Sequence, residues 1–138
     1  MTEPIVTNNW ISKMTKFSRD FEIQGKKYTW EQLDDTVYMY LEEEMTELKE
    51  ALRARDLVEI LDGAGDVAFI ALNVIYKLGR LRGLSHGNAK ALIGKVMNEI
   101  SDSNLTKMTE DGKVLRDEDT GKVLKPEGYR KPDLEGLV

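Results

Sequence analysis

The chain contains no cysteine, one histidine and three prolines in 138 residues. Without cysteine, neither a disulfide framework nor a thiolate metal site can form. A single histidine, His86, supplies no set of imidazoles for zinc and tells against a histidine-centred triad. No apolar run is long enough to span a membrane, and the N-terminus lacks a signal-peptide pattern, so a cytoplasmic protein with no membrane partner is expected. Basic excess is also missing. The net charge is −5, which argues against nucleic-acid binding and means that an anionic ligand would need a cation to mediate it. Whatever chemistry the chain performs is left to carboxylates.

What is present is acid on helices. Apolar residues make up 41 % and charged residues 33 % of the chain, the balance of a folded domain, and the length fits a single domain over 1–138. Asn9 can cap a helix in which Trp10, Ile11, Met14, Phe17 and Phe21 recur at helical spacing, broken at Gly25. Thr29 followed by Gln32 forms a capping box that opens a helix from about Trp30 to Arg55. Its apolar stripe runs through Leu33, Val37, Tyr40, Leu41, Leu48 and Leu52. Asp56 with Glu59 forms a second box, before a helix from about Leu57 to Leu78 that Gly79 would end. A further helix starts at Ser85 or His86 and runs to about Met108. Beyond it, GKVL occurs twice around an acidic turn, which reads as a β-hairpin followed by an extended tail. The expected fold is all-α, a bundle of four to five helices (core about 8–108) with a short C-terminal β-hairpin and tail (about 109–138).

The stretch "LEEEMTELKEA" holds five glutamates in eleven residues. Residues three and four apart share a helix face, so Glu44 and Glu47 point one way, Glu43 also lies near Glu47, and Glu50 is a turn further on. Like charges on an exposed helix cost only about 0.2–0.5 kcal/mol a pair, so a purely solvated face is a serious alternative. Glu59 has a ready alternative role in capping. Asp62 and Asp66 are harder to set aside. They lie in "ILDGAGDVAFIALNVI", an apolar helix expected to be largely buried, where an ionised carboxylate is costly unless paired or bound to metal. Gly63 and Gly65, each costing about 1 kcal/mol relative to Ala, suggest close approach of another helix or a ligand. A hard divalent cation resolves both features. Mg²⁺, with Mn²⁺ as substitute, takes oxygen ligands and keeps waters that meet substrate phosphates.

"EEMTE" at Glu43–Glu47 resembles the EExxE motif of the all-α nucleoside triphosphate pyrophosphohydrolases, the MazG-like superfamily. "DGAGDVAFIALNVI" resembles the following helix, which carries a second acidic motif, ExxD. "NEISDSNLTKMTEDGKVLRDEDTGKVLKPEGYRKPDL" is similar to the C-terminal part of a subgroup some of whose members hydrolyse dUTP or related pyrimidine nucleotides. One departure stands out. If Asp66 is the aspartate of ExxD, the glutamate position falls on Gly63, and Asp62 is a replacement one residue earlier on a neighbouring face. If Glu59 and Asp62 form the motif, Asp66 is an extra ligand. The resemblance implies cleavage of an NTP or dNTP between the α and β phosphates, giving monophosphate and pyrophosphate. The metal ligands would come from Glu43, Glu44, Glu47, Asp62 and Asp66, and Glu47 or Glu44 would act as general base. It also implies that Asn104 and Lys107 contact substrate and that the protein is a homodimer or homotetramer. Trp10, Phe17 and Tyr76 are stacking candidates, with core packing as their ordinary role. The competing reading is a non-catalytic dimeric helical interaction module, which has little reason to bury Asp62 and Asp66.

Overall fold

The structure is a computed structural model and describes residues 9–138. The described residues form four helices and no strand. The chain divides into two compact units, Met1–Ile93 and Gly94–Val138, with the boundary inside the last helix.

In the first unit, α1 runs Trp10–Phe17 and continues in π-helical winding through Ser18–Ile23. Asn9 starts it by position, with its carbonyl accepting from Lys13 N–H at 3.1 Å, but its side chain makes no capping bond. Thr15 Oγ1 bonds back to the Ile11 carbonyl at 2.9 Å, one turn before the winding changes. Such back-bonding competes with the regular ladder and bends helices. Helix α2 occupies 30–54 in three pieces: Trp30–Asp35, a π-wound Thr36–Leu41, and Glu42–Ala54. Its capping box is complete, with Gln32 N–H donating to Thr29 Oγ1 at 3.2 Å and Thr29 N–H to Gln32 Oε1 at 2.9 Å.

Arg55 turns the chain through a left-handed φ of 53°, and Asp56 N–H reaches back to the Ala51 carbonyl at 3.2 Å. That bond occupies the amide that a reciprocal Glu59 carboxylate would need. The second box is therefore half formed, with Asp56 Oδ1 accepting from Glu59 N–H at 3.2 Å. Helix α3, Leu57–Leu81, runs antiparallel to α2: Leu48 packs on Gly63, and Thr36 meets Lys77. A Cβ at Gly63 would lie 3.2 Å from Leu48 Cα, so this glycine sets how closely the two helices approach. Gly65 has nothing within 4 Å of such a Cβ.

Gly79 does not end α3. It is buried, and its missing side chain lets Ala89 and Leu92 pack within 3.2 Å of where a Cβ would stand. The stop comes at Gly83, with φ of 95°, after Leu81. Helix α4, His86–Leu105, begins the return. The centre of this unit is Met14, Tyr76, Ala89 and Ile93. Tyr76 thus belongs to the core, and its hydroxyl meets His86 Nδ1 at 2.7 Å.

In the second unit the end of α4 carries an irregular tail. The expected hairpin is not formed. Only isolated bridges pair Met108 with Val114 and Arg116 with Val123. The acidic turn folds on itself, with Asp117 Oδ1 accepting from the Asp119 and Thr120 amides at 3.0 and 2.9 Å. Val114 and Leu115 stay 37 % and 46 % exposed, so the Val-Leu pairs supply no buried face on which a ladder would pay. The tail is instead tied to α4. Glu99 accepts from Arg130 at 2.6 Å and from the Asp133 amide at 3.0 Å, and Ser103 Oγ donates to the Arg130 carbonyl at 2.7 Å.

Candidate active site

A cavity of about 440 Å³ opens between α1, α2 and α3 in the first unit. Glu43 and Glu44 line it from α2, and Asn73 and Lys77 from α3. Glu22 and Thr36 come from the two π-wound stretches. Wide turns of this kind recur at functional sites because they re-aim side chains that a regular helix would place elsewhere. Lys77 ties the two stretches together. Its ammonium, 2 % exposed, donates to Glu22 Oε2 and to Thr36 Oγ1, each at 2.9 Å. Thr36 passes the interaction on by donating to the Gln32 carbonyl at 2.7 Å.

Helix geometry decides which acids face this cavity. Gly63, Asp66, Ile70, Asn73 and Lys77 are spaced by three, four, three and four, so they form one face of α3 turned toward α2. Asp66 lies on that face and is half-buried. Asp62 sits one residue off it and is exposed, contrary to the burial expected from its apolar neighbours. The same geometry explains those neighbours. Leu57, Val58 and Leu61 are apolar yet 77, 72 and 76 % exposed, so an apolar sequence does not bury every side of α3 within one chain.

Glu44 has the most unusual surroundings of the acids. Its Oε2 is buried and has no hydrogen-bond partner. Burial holds its pKa above the ordinary carboxylate value, and the charges of Glu47, Asp66 and Glu43 push it the same way. Like charges and desolvation both favour the protonated acid. Glu44, Glu47, Asp66 and Glu43 are therefore the carboxylates brought into one another's field. Among the described residues, however, no three acids already converge as a metal cage. Glu47 and Glu43 are exposed, and the carboxylate oxygens of Glu44, Glu47 and Asp66 are of the chemical type that a hard cation takes. Glu50 and Glu59 are exposed.

Asn104 and Lys107 belong to the second unit, where Lys107 N–H closes a turn on the Asn104 carbonyl at 3.1 Å. Phe17 lines the cavity, whereas Trp10 does not. The sequence reading passed over Glu22, Thr36, Asn73 and Lys77. A signal for two of them was present: Asn73 and Lys77 follow Asp66 at seven and eleven residues, on the same helix face.

The phosphoribosyl-ATP pyrophosphohydrolase family model matches residues 15–103. The chain belongs to that family. The family falls within the MazG-like nucleoside triphosphate pyrophosphohydrolases, as the acidic motifs suggested. No curated protein and no solved structure matches the chain. Membership makes this a pyrophosphohydrolase domain for a nucleotide, and the matched span contains the whole cavity and every acid of the cluster. It stops one residue before Asn104. Among the described residues no helix is long and apolar enough to cross a membrane.

Proposed function

We propose that this pyrophosphohydrolase cleaves a nucleoside triphosphate, NTP or dNTP, between the α and β phosphates, giving the monophosphate and pyrophosphate with Mg²⁺ as cofactor. The observation that carries the reading is Glu44 Oε2, a buried carboxylate oxygen without a partner, set among Glu47, Asp66 and Glu43 at a cavity. An acid so placed is costly as it stands. A divalent cation would neutralise this cluster and the charge of the polyphosphate. Glu44, Glu47 and Asp66 are the inner ligands in this reading, and Glu43 and Asp62 complete the candidate set. Glu47, exposed to solvent, would keep an oxygen to take the proton of the attacking water.

The exposed Leu57, Val58 and Leu61 fit a face covered by a second copy, and thus a homodimer or homotetramer. Removal of surplus nucleotides in the cytoplasm is the role that suits this chemistry. The test is a panel of the standard NTPs and dNTPs, with phosphoribosyl-ATP included, assayed with Mg²⁺ for pyrophosphate. Pyrophosphate from at least one of them, abolished by EDTA, is the expected result. Orthophosphate as the primary product would overturn α–β cleavage.

A further inference from the structure

One end of the cavity is polar beyond what a phosphate site requires. Asn73 lines it and is 2 % exposed, and of its amide only Oδ1 is buried without a hydrogen-bond partner. A buried acceptor left unpaired is destabilising, so a ligand that donates to it gains from the site's own deficit. Lys77 follows by four residues on the same face of α3, and Glu22 and Thr36 take two of its three ammonium protons. The third is left for an acceptor. Asn73 and Lys77 together call for a group that donates one hydrogen bond and accepts another at one place. The aromatic side chains lie nearer the solvent. Phe17 and Phe69, edge to face with centroids 5.7 Å apart, line the cavity yet stay 43 % and 37 % exposed, so the apolar surface for a flat ring is toward the opening.

A hydroxyl is the smallest group that meets this demand, since its single oxygen both donates and accepts. A nucleobase edge spreads its donors and acceptors over several atoms, in an order that changes from base to base. Position along α3 agrees. Asn73 stands seven residues, about 10 Å, beyond Asp66. A triphosphate held at the acids has its sugar as the next group toward Asn73, with its base free to lie against the exposed rings. We propose that Asn73, with Lys77, reads the 3′-hydroxyl of the nucleotide sugar whatever the base. The hydroxyl donates to Asn73 Oδ1 and accepts from the Lys77 ammonium. The assignment rests on the proposed function in placing the triphosphate at the acidic cluster. The 3′-hydroxyl takes no part in cleavage between the α and β phosphates, so its removal tests recognition alone.

Two measurements on the full chain test it. One is kcat/KM with Mg²⁺ for each nucleotide that is hydrolysed and for its 3′-deoxy counterpart. The other is calorimetric binding of dUMP, dCMP, dAMP and dGMP and of their 3′-deoxy forms, which needs no turnover. Loss of the hydroxyl should lower both by about tenfold or more with every base, because it leaves buried polar groups unpaired. Asn73→Ala should bring that ratio close to one, mainly through KM, with helical content unchanged. If Asn73→Ala does not fold, Glu22→Leu/Lys77→Met decides by the same ratio. That double variant removes the ion pair together, so that no lone charge is left buried. Equal values with and without the hydroxyl in the wild type would overturn the proposal. So would a hydroxyl preference that survives in the variant, or an equal loss for both forms, which would mark Asn73 as structural. A variant that changes the preference among bases and not the hydroxyl ratio would assign Asn73 to the base edge and reject sugar reading. If no nucleotide is hydrolysed, the proposed function falls, and monophosphate binding alone decides. Hydroxyl-dependent binding that needs Asn73 then upholds sugar reading, and indifferent or absent binding rejects it.

Discussion

Glu44 and Gly63 show how much one position can carry. Glu44→Gln, Glu47→Gln and Asp66→Asn each remove a charge at nearly constant volume. Each should abolish most pyrophosphate release while circular dichroism stays helical, and Glu59→Gln should have a weaker effect, since its backbone amide, not its carboxylate, is what Asp56 caps. Full activity in Asp66→Asn would mean that the second acidic motif lies elsewhere. Gly63 faces Leu48 so closely that an added Cβ would lie 3.2 Å from the Leu48 Cα. Gly65→Ala should raise stability by up to about 1 kcal/mol, because it gains helix propensity in open space. Gly63→Ala should not gain, since the added methyl presses on backbone. Urea midpoints of the two variants separate these outcomes.

His86 extends the residue scale to pH. Burial, then Arg19, Lys90 and Arg80, hold its pKa below the usual histidine value. Its Nδ1 also lies 2.7 Å from the Tyr76 hydroxyl, within the core. A folded-state pKa below the unfolded one means that the fold disfavours the charged ring. The contribution is fully present above the unfolded value of about 6.5 and is lost as pH falls through the folded value. Thermal stability measured from pH 7.5 down to 5 should decline in that window, and His86→Phe should flatten the decline.

At the scale of elements, the two π-wound stretches and Lys77 act as a unit. Lys77 binds Glu22 on one stretch and Thr36 on the other, so three helices are referenced to a single buried ammonium. Lys77→Met alone strands Glu22, which is 26 % exposed, and should cost about 2 kcal/mol. Breaking the complete Thr29 capping box with Thr29→Ala should cost about 1 kcal/mol, without changing which nucleotide is preferred. The capping boxes and helix centres were legible in the sequence because they depend on residues three or four apart. The π-winding was not, because hydrophobic spacing barely distinguishes it from an α-helix over six residues. The hairpin expectation failed for a related reason. Two Val-Leu pairs are a strand signal only if something covers them, and here the Asp117 turn closes locally while Val114, Leu115 and Leu124 stay exposed.

At the scale of the whole molecule, metal and assembly should appear as linked stabilities. The acids around Glu44 repel one another in a partly desolvated setting, so a cation that binds only the folded state stabilises by mass action. The gain is about 2.7 kcal/mol when free metal is 100 times its dissociation constant. Thermal unfolding should rise with millimolar Mg²⁺ or Mn²⁺ by more than with NaCl at matched ionic strength, and the excess should shrink in Glu44→Gln. A shift no larger than that of matched salt would leave the acids as a solvated face and favour the interaction-module reading. Sedimentation equilibrium should find a dimer or larger, and Leu61→Glu should weaken it, since Leu61 is 76 % exposed on the apolar side of α3.

The sequence by itself determined the helices, the acidic motifs and the class of chemistry, because each is written in local spacing and residue type. It left open which acids lie near one another. That was decided by the antiparallel packing of α2 on α3, with Leu48 against Gly63, which brings Asp66 into the field of Glu44 and leaves Asp62 in solvent. It also gave no hint of Glu22 meeting Lys77 across 55 positions of chain. A side chain 100° around a helix differs by one residue in the sequence and by its whole environment in the fold.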